Sequence, residues 1–233
     1  MHRLSEDNET TLKVIDQLGL SRWQQGRFKE ASELHQRALH GLEKFRGSAH
    51  ADTLRAKMNL GRTLGKLFKF DEAVELHTEA SDGLKKVDCL GPTHLDTLIV
   101  LDNLAMAHFD RYCWGNGNRE DPIRSYQLEV DVVDQRKKKL WKEHPYTLWS
   151  ICNFARIRLA MGFVEEAEDL IRSALSVARR NLGESHNGDS VRYGLSWTDS
   201  YFWGETFKKL RSCLMLSIPM KSRIDAIRNN LLL

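Results

Sequence analysis

Nine histidines are the residues of this sequence best equipped to ligate a metal or move a proton. Four of them, His50, His94, His144 and His186, recur at spacings of 44, 50 and 42 residues. Zinc ligands must converge on one point at about 2 Å from the ion. Residues this far apart would do so only if the chain folded them together. If each belongs to one unit of a stack, neighbours sit roughly 10 Å apart, a helix–helix spacing, and no ion is shared. His35 and His77 are 42 residues apart and read as packing residues at matching places. No metal site is therefore expected.

Other candidate chemistry is thin. Glu165, Glu166, Glu168 and Asp169 cluster on one helical stretch, but general acid–base pairs need a cleft and this reads as a solvated edge. Gly115-Asn116-Gly117-Asn118 is followed by no Gly-Lys-Ser/Thr and preceded by no strand, so it is not a phosphate loop. The basic run Arg136-Lys137-Lys138-Lys139 reads as a solvated helix end that complements the helix dipole. No Ser/His/Asp or Cys/His arrangement stands out. The reading is non-enzymatic, with no cofactor.

The elements that carry these residues repeat. Thr-Leu pairs stand at Thr11-Leu12, Thr53-Leu54, Thr97-Leu98 and Thr147-Leu148, with spacings of 42, 44 and 50. Internal repeats at such a period mean stacked units that cannot bury their apolar faces alone. Each unit reads as two helices. Leu60-Gly61 marks the middle of a first helix, and Ala73 and Ala80, seven apart, lie on one face of a second. The units run about 8–49, 50–92, 93–142 and 144–185, an array over 8–186. Asp and Thr before each first helix are expected N-caps. Asp88-Cys89 reads as a two-residue insertion, and Val132 stands in the place of Ala80. The third unit carries extra residues, read as an inserted loop over 110–122, DRYCWGNGNREDP. Residues 187–233 read as a degenerate fifth repeat, a cap or a poorly ordered tail.

Composition agrees with an all-α chain. The 233 residues are 41% hydrophobic and 29% charged, with four prolines. The net charge of +3 is too small to predict a nucleic-acid or membrane partner. It resides in the tail, where seven Lys/Arg face four Asp/Glu from Asn187 onward. The cysteines Cys89, Cys113, Cys152 and Cys213 are scattered without a CxxC, which favours a reduced, cytoplasmic chain. No apolar run approaches the roughly 18–20 residues of a membrane span.

Leu18-Gly19, Gly26, Ala31 and Ala38, then Leu60-Gly61, Ala73 and Ala80, then Leu104-Ala105, then Ala155, Gly162, Ala167 and Ala174, with LGxxH…TL junctions, give the array a family look. It resembles tetratricopeptide repeats of the 42-residue kinesin-light-chain-like type, and the repeat regions of fungal NLR-like proteins. The resemblance implies an α-solenoid, a right-handed superhelix of stacked helical hairpins. Its concave groove, lined by first helices, would bind a peptide or partner segment. The alternative is a sensing or assembly region of an NLR-like signalling protein, for which self-association is expected.

In the Thr-Leu register the sixth position reads Gln17, Asn59, Asn103 and Asn153. An amide both donates to and accepts from a peptide backbone, so a ladder of amides can hold an extended ligand without reading its side chains. In tetratricopeptide domains asparagine here contacts ligand backbone, and the resemblance implies the same. The other use of these amides is bonding between neighbouring helices. The second position reads Lys13, Arg55, Ile99 and Trp149, and the ninth Leu20, Arg62, Met106 and Arg156. Arg55, Arg62 and Arg156 suit acidic groups or a terminal carboxylate, or else neutralise nearby aspartates. Trp149 offers apolar contact area.

Overall fold

The computed structural model describes residues 8–87 and 90–182. The described residues form eight α-helices and no strand. They are α1 (Glu9–Gln24), α2 (Phe28–Arg46), α3 (Ala51–Lys66), α4 (Phe70–Lys86), α5 (Leu95–Trp114), α6 (Glu120–Leu140), α7 (Pro145–Ala160) and α8 (Val164–Leu182). The chain divides into two compact units, Met1–Leu128 and Glu129–Leu233, with the boundary inside α6. In the first unit α1 pairs with α2 and α3 with α4, while α2 packs on α3 and α4 on α5. That is the order of an α-solenoid. In the second unit α7 pairs with α8.

The small residues do what their spacing predicts. Ala31, Ala38, Ala73, Ala80, Ala167 and Ala174 are buried, so paired helix backbones approach closely. Leucines fill the seams between hairpins. Leu39 and Leu42 of α2 cluster with Ala56, Leu60 and Leu64 of α3, and Leu54, Ala80 and Leu84 cluster with Val100 of α5. Each buried leucine contributes about 1.5–3 kcal/mol relative to an exposed one. Gly19 and Gly61 are required by close approach. A Cβ on Gly19 would come within 2.6 Å of the His35 ring, and one on Gly61 within 3.0 Å of the His77 ring.

Two expectations need correcting. The N-caps are the junction histidines, not the aspartates or threonines. The Nδ1 atoms of His50, His94 and His144 accept from the backbone N–H of Asp52, Asp96 and Tyr146 at 3.2, 3.2 and 3.1 Å. The threonines instead tie down the preceding junction: Thr97 and Thr147 donate to the carbonyls of Gly91 and Trp141 at 2.8 and 3.0 Å. The second correction concerns the loop over 110–122. α5 continues through Trp114 and α6 begins at Glu120, so the break spans only 115–119. Asp110 to Trp114 hold no residue that stops a helix, and Gly115 is the first that does. The insertion at Asp88-Cys89 and the reading of 187–233 lie outside the described residues.

Three of the hairpin turns pass through left-handed backbone at one position each. Gly26 and Gly162 hold φ of 76° and 88°, but the equivalent residue between α3 and α4 is Phe68, with φ 62°. Its ring is 72% exposed, so little packing offsets the strain. Phe68→Gly is expected to stabilise the protein by about 1 kcal/mol. A thermal melt that falls instead of rising would refute this account of the turn.

Candidate functional site: the first-helix face

At the second position the cations are spent on the next repeat. Lys13 Nζ lies 2.9 Å from both Glu9 and Asp52. Arg55 repeats the arrangement one unit on, with Asp96 at 2.6 Å and Asp52 at 3.0 Å. Burial works against the Arg55 charge, but the hydrogen bond that Arg55 donates to Asp96 and the charges of Asp96 and Asp52 outweigh it and hold the guanidinium proton more firmly. Burial likewise pushes the Asp52 carboxyl up, and Lys13 more than reverses it, leaving the pKa below its ordinary value. Arg55 is thus committed to two aspartates, Asp52 and Asp96. Ile99 carries no charge, so the bridge is not repeated at the third first helix.

At the sixth position the four amides do not form one ladder. Gln17 is exposed. Asn59 is buried and donates through Nδ2 to Asp16 Oδ2 at 2.8 Å, while Asp16 Oδ1 meets His35 Nδ1 at 2.8 Å. Its amide N–H therefore joins two repeats, which corrects the expectation that Asn59 offers this donor to a ligand. Asn103 stands one repeat on, where the residue equivalent to Asp16 is Met58, which offers no carboxylate. Asn103 is half-buried, and its Nδ2 has no acceptor. Asn153 is buried in the second unit. Asp16→Ala strands both the His35 nitrogen and the Asn59 amide, and is expected to cost about 2–3 kcal/mol. Urea denaturation checks it, and Asn59→Ala added on top should cost less than it does alone.

At the ninth position the Arg62 guanidinium lies over the Trp23 ring, 4.3 Å from its centroid. Trp149 and Arg156 are part-buried in the second unit.

Two polar arrangements escaped the sequence reading. Asp121, almost fully buried, receives His108 Nδ1 at 2.7 Å and Arg111 at 2.5 and 3.1 Å. The Asn118 N–H donates to it at 3.0 Å, and Arg111 reaches on to Asp71 at 3.0 Å. Burial raises the Asp121 carboxyl, but Arg111 and His108 more than offset it, so its pKa lies below the usual carboxylate value. His108 is pushed down, by burial first. The cluster pins the 115–119 break to α5. Arg136 is the other case. It is buried inside the second unit rather than solvated with Lys137, Lys138 and Lys139, which are exposed. This corrects the reading of the basic run. Only its position on the inner face of α6, invisible in a run of four like charges, tells it from its neighbours.

Among the described residues no three His, Cys, Asp or Glu side chains are grouped to hold a metal ion. No described helix is long and apolar enough to cross a membrane.

Comparison with known proteins decides the family. Two tetratricopeptide repeat models match residues 10–86 and 147–188, together about half of the chain. The chain belongs to the tetratricopeptide repeat family. Among solved structures it is similar to a kinesin light chain-like protein of Podosopora anserina with nearly identical TPR-like repeats. The TM-score is 0.62 at 21% identity, covering 96% of this chain and 98% of that one. The Q17M form of that protein gives a TM-score of 0.63 at 21% identity, covering 96% and 97%. BtubC (BKLC) from P. vanneervenii gives 0.57 at 18% identity, covering 95% and 82%. At such identities the likeness is one of fold. No curated protein matches the chain. Tetratricopeptide repeats are generally protein-interaction scaffolds and form a non-catalytic family.

Proposed function

We propose that this tetratricopeptide chain binds an extended peptide or partner segment along its first helices, as a cytoplasmic, non-enzymatic interaction scaffold. The observation that carries the reading is the Asn103 amide. Its Nδ2 lacks an acceptor at the register where Asn59 finds one in Asp16. A donor left unpaired costs about 1–3 kcal/mol; the Nδ2 atom itself is covered, so the half-buried Asn103 side chain would recover that cost by turning its amide outward to a ligand carbonyl. Arg62, oriented by Trp23, stands on the next turn of the preceding first helix's register and supplies a cationic flank. Arg55 does not, because two carboxylates already hold it. The ligand is therefore read mainly through its backbone, with acidic groups a secondary feature.

A degenerate peptide array probed with the full chain tests this. Asn103→Ala should weaken bound peptides about tenfold, the value of one recovered hydrogen bond. Asn59→Ala should lower the melting temperature instead. Peptides that bind equally well to the Asn103→Ala and Arg62→Ala proteins would place the ligand elsewhere.

A further inference from the structure

The three described junctions between hairpins share one geometry. In each, the residue three before the junction histidine holds left-handed backbone: Gly47 at φ 86°, Gly91 at 70° and Trp141 at 68°. Each lends its carbonyl to the N–H of that histidine, at 3.4, 3.3 and 3.4 Å. Glycine takes this backbone freely, whereas a bulky aromatic residue is strained in it. The Trp141 ring regains little by packing. It meets the His144 ring edge-on, with centroids 4.8 Å apart, and stays 65% exposed. A strained residue with its ring in solvent, where glycine serves the other two junctions, points to a contact outside the chain.

The charge around Trp141 indicates what it contacts. Lys137, Lys138, Lys139 and Lys142 are all exposed. Lys138 pairs with Asp134 one turn back at 2.6 Å, while no carboxylate among the described residues holds the other three. Glu143, the acid beside them, is taken by Arg180. The helix dipole accounts for cations in the last turn of α6, but not for Lys142 beyond it or for the indole. We propose that the junction between α6 and α7 docks the protein onto an anionic membrane surface, with Trp141 entering the headgroup layer and the four lysines meeting the lipid charges. Tryptophan favours that layer, because it joins an apolar body to one polar N–H. Consecutive helical residues point about 100° apart, so Lys137 to Lys139 fan around the end of α6 instead of lining a groove. A plane of charge meets such a fan. A nucleic-acid strand needs a charged groove with successive stacking rings, and here one ring is exposed. An acidic peptide is best held by arginine forks, and lysines are point charges on mobile stems. The chain from Asn187 onward is itself basic, with seven Lys/Arg against four Asp/Glu, so its charge does not suit the patch. The whole-chain charge of +3 averages this local excess away. No described helix can cross a bilayer, so the docking is peripheral. The inference stands apart from the peptide-binding reading, which rests on Asn103 and Arg62 of the first unit.

The test sediments the full chain with vesicles of phosphatidylcholine alone and with vesicles carrying about 30% phosphatidylserine. The anionic vesicles should bind at least about tenfold more tightly, and about 0.5 M salt should remove the difference. Lys139→Glu with Lys142→Glu should weaken that binding at least about tenfold, since each lysine near such a surface contributes about a factor of five. Both side chains are exposed, so the melt of this variant should stay nearly unchanged. Trp141→Gly should weaken vesicle binding about fivefold while its melting temperature holds or rises, a combination that a structural role for the ring does not produce. Equal binding to the two kinds of vesicle would overturn the proposal, as would either variant binding like the parent. A melt of Trp141→Gly that falls would give the ring a structural role and overturn it as well. A polyuridine strand or a polyglutamate peptide that binds more tightly than the anionic vesicles, with the same dependence on Trp141, would assign the surface to another polyanion and overturn the proposal too.

Discussion

Acidification from pH 6.5 to pH 4 is expected to cost the folded state about 3 kcal/mol through His77 alone. His77 is completely buried in α4 against the Gly61 backbone, and its Nδ1 has no partner. Burial pushes the imidazole from 6.5 down to about 3, and the nearby Arg62 charge acts in the same direction. Between those two values the unfolded chain carries a proton at this residue and the folded chain does not. Stability is therefore full above pH 6.5 and falls as the pH drops toward 3. Urea denaturation at pH 7, 5.5 and 4 measures the slope, and His77→Leu should remove most of it. Carboxylates with depressed pKa values, Asp52 and Asp121, add a separate loss as the pH falls through their folded values, and that loss should persist in the variant. Parallel pH profiles for the two proteins would show that His77 is reached by solvent and the burial argument fails.

Arg136→Ala should be the most damaging single substitution in the second unit, at about 3–5 kcal/mol. Its guanidinium donates to the Tyr146 carbonyl at 3.0 Å and to Ser150 Oγ at 2.5 Å, and lies 5.7 Å from the Tyr146 ring centroid. Alanine would leave a long empty slot and remove the donor shared by two oxygens at the start of α7. A drop in melting temperature of about 10 °C is expected for a chain of this size. Arg136→Met, which refills the slot without the donors, should recover part of it. Lys137→Ala, one residue away on the exposed face, serves as the control and should change little. Equal melts for Arg136→Ala and Lys137→Ala would remove the structural role assigned to this arginine.

The repeat architecture was legible because it is written several times over. Thr-Leu pairs, junction histidines and alanines seven apart each recur at one period, and tertiary packing has little freedom to override them. What the sequence hid were partnerships across long separations. Asp16 and Asn59 are 43 residues apart, and nothing in either local pattern shows that the amide turns into the stack toward the carboxylate. Arg136 sits in a run of like charges, and only the face of α6 on which it falls decides that it is buried. The histidine caps were missed for another reason. Aspartate and threonine are the stronger capping types, so their presence next to His50 and His94 masked the weaker residue that does the capping. The extra residues of the third repeat became longer helices because their turn-forming members, Gly115 to Asn118, are bunched at one end.

The seam between the first and second hairpins and the seam between the second hairpin and α5 carry one and the same polar bond, a cation at the second position reaching an aspartate in the first turn of the next first helix. Hairpins joined by a shared latch are interchangeable. Duplication or loss of one 42-residue unit by unequal crossing-over between Thr11 and Thr53 would regenerate the same joint, whereas Ile99 ends that freedom at the third repeat. The array can thus lengthen from its first two units without any new residue evolving.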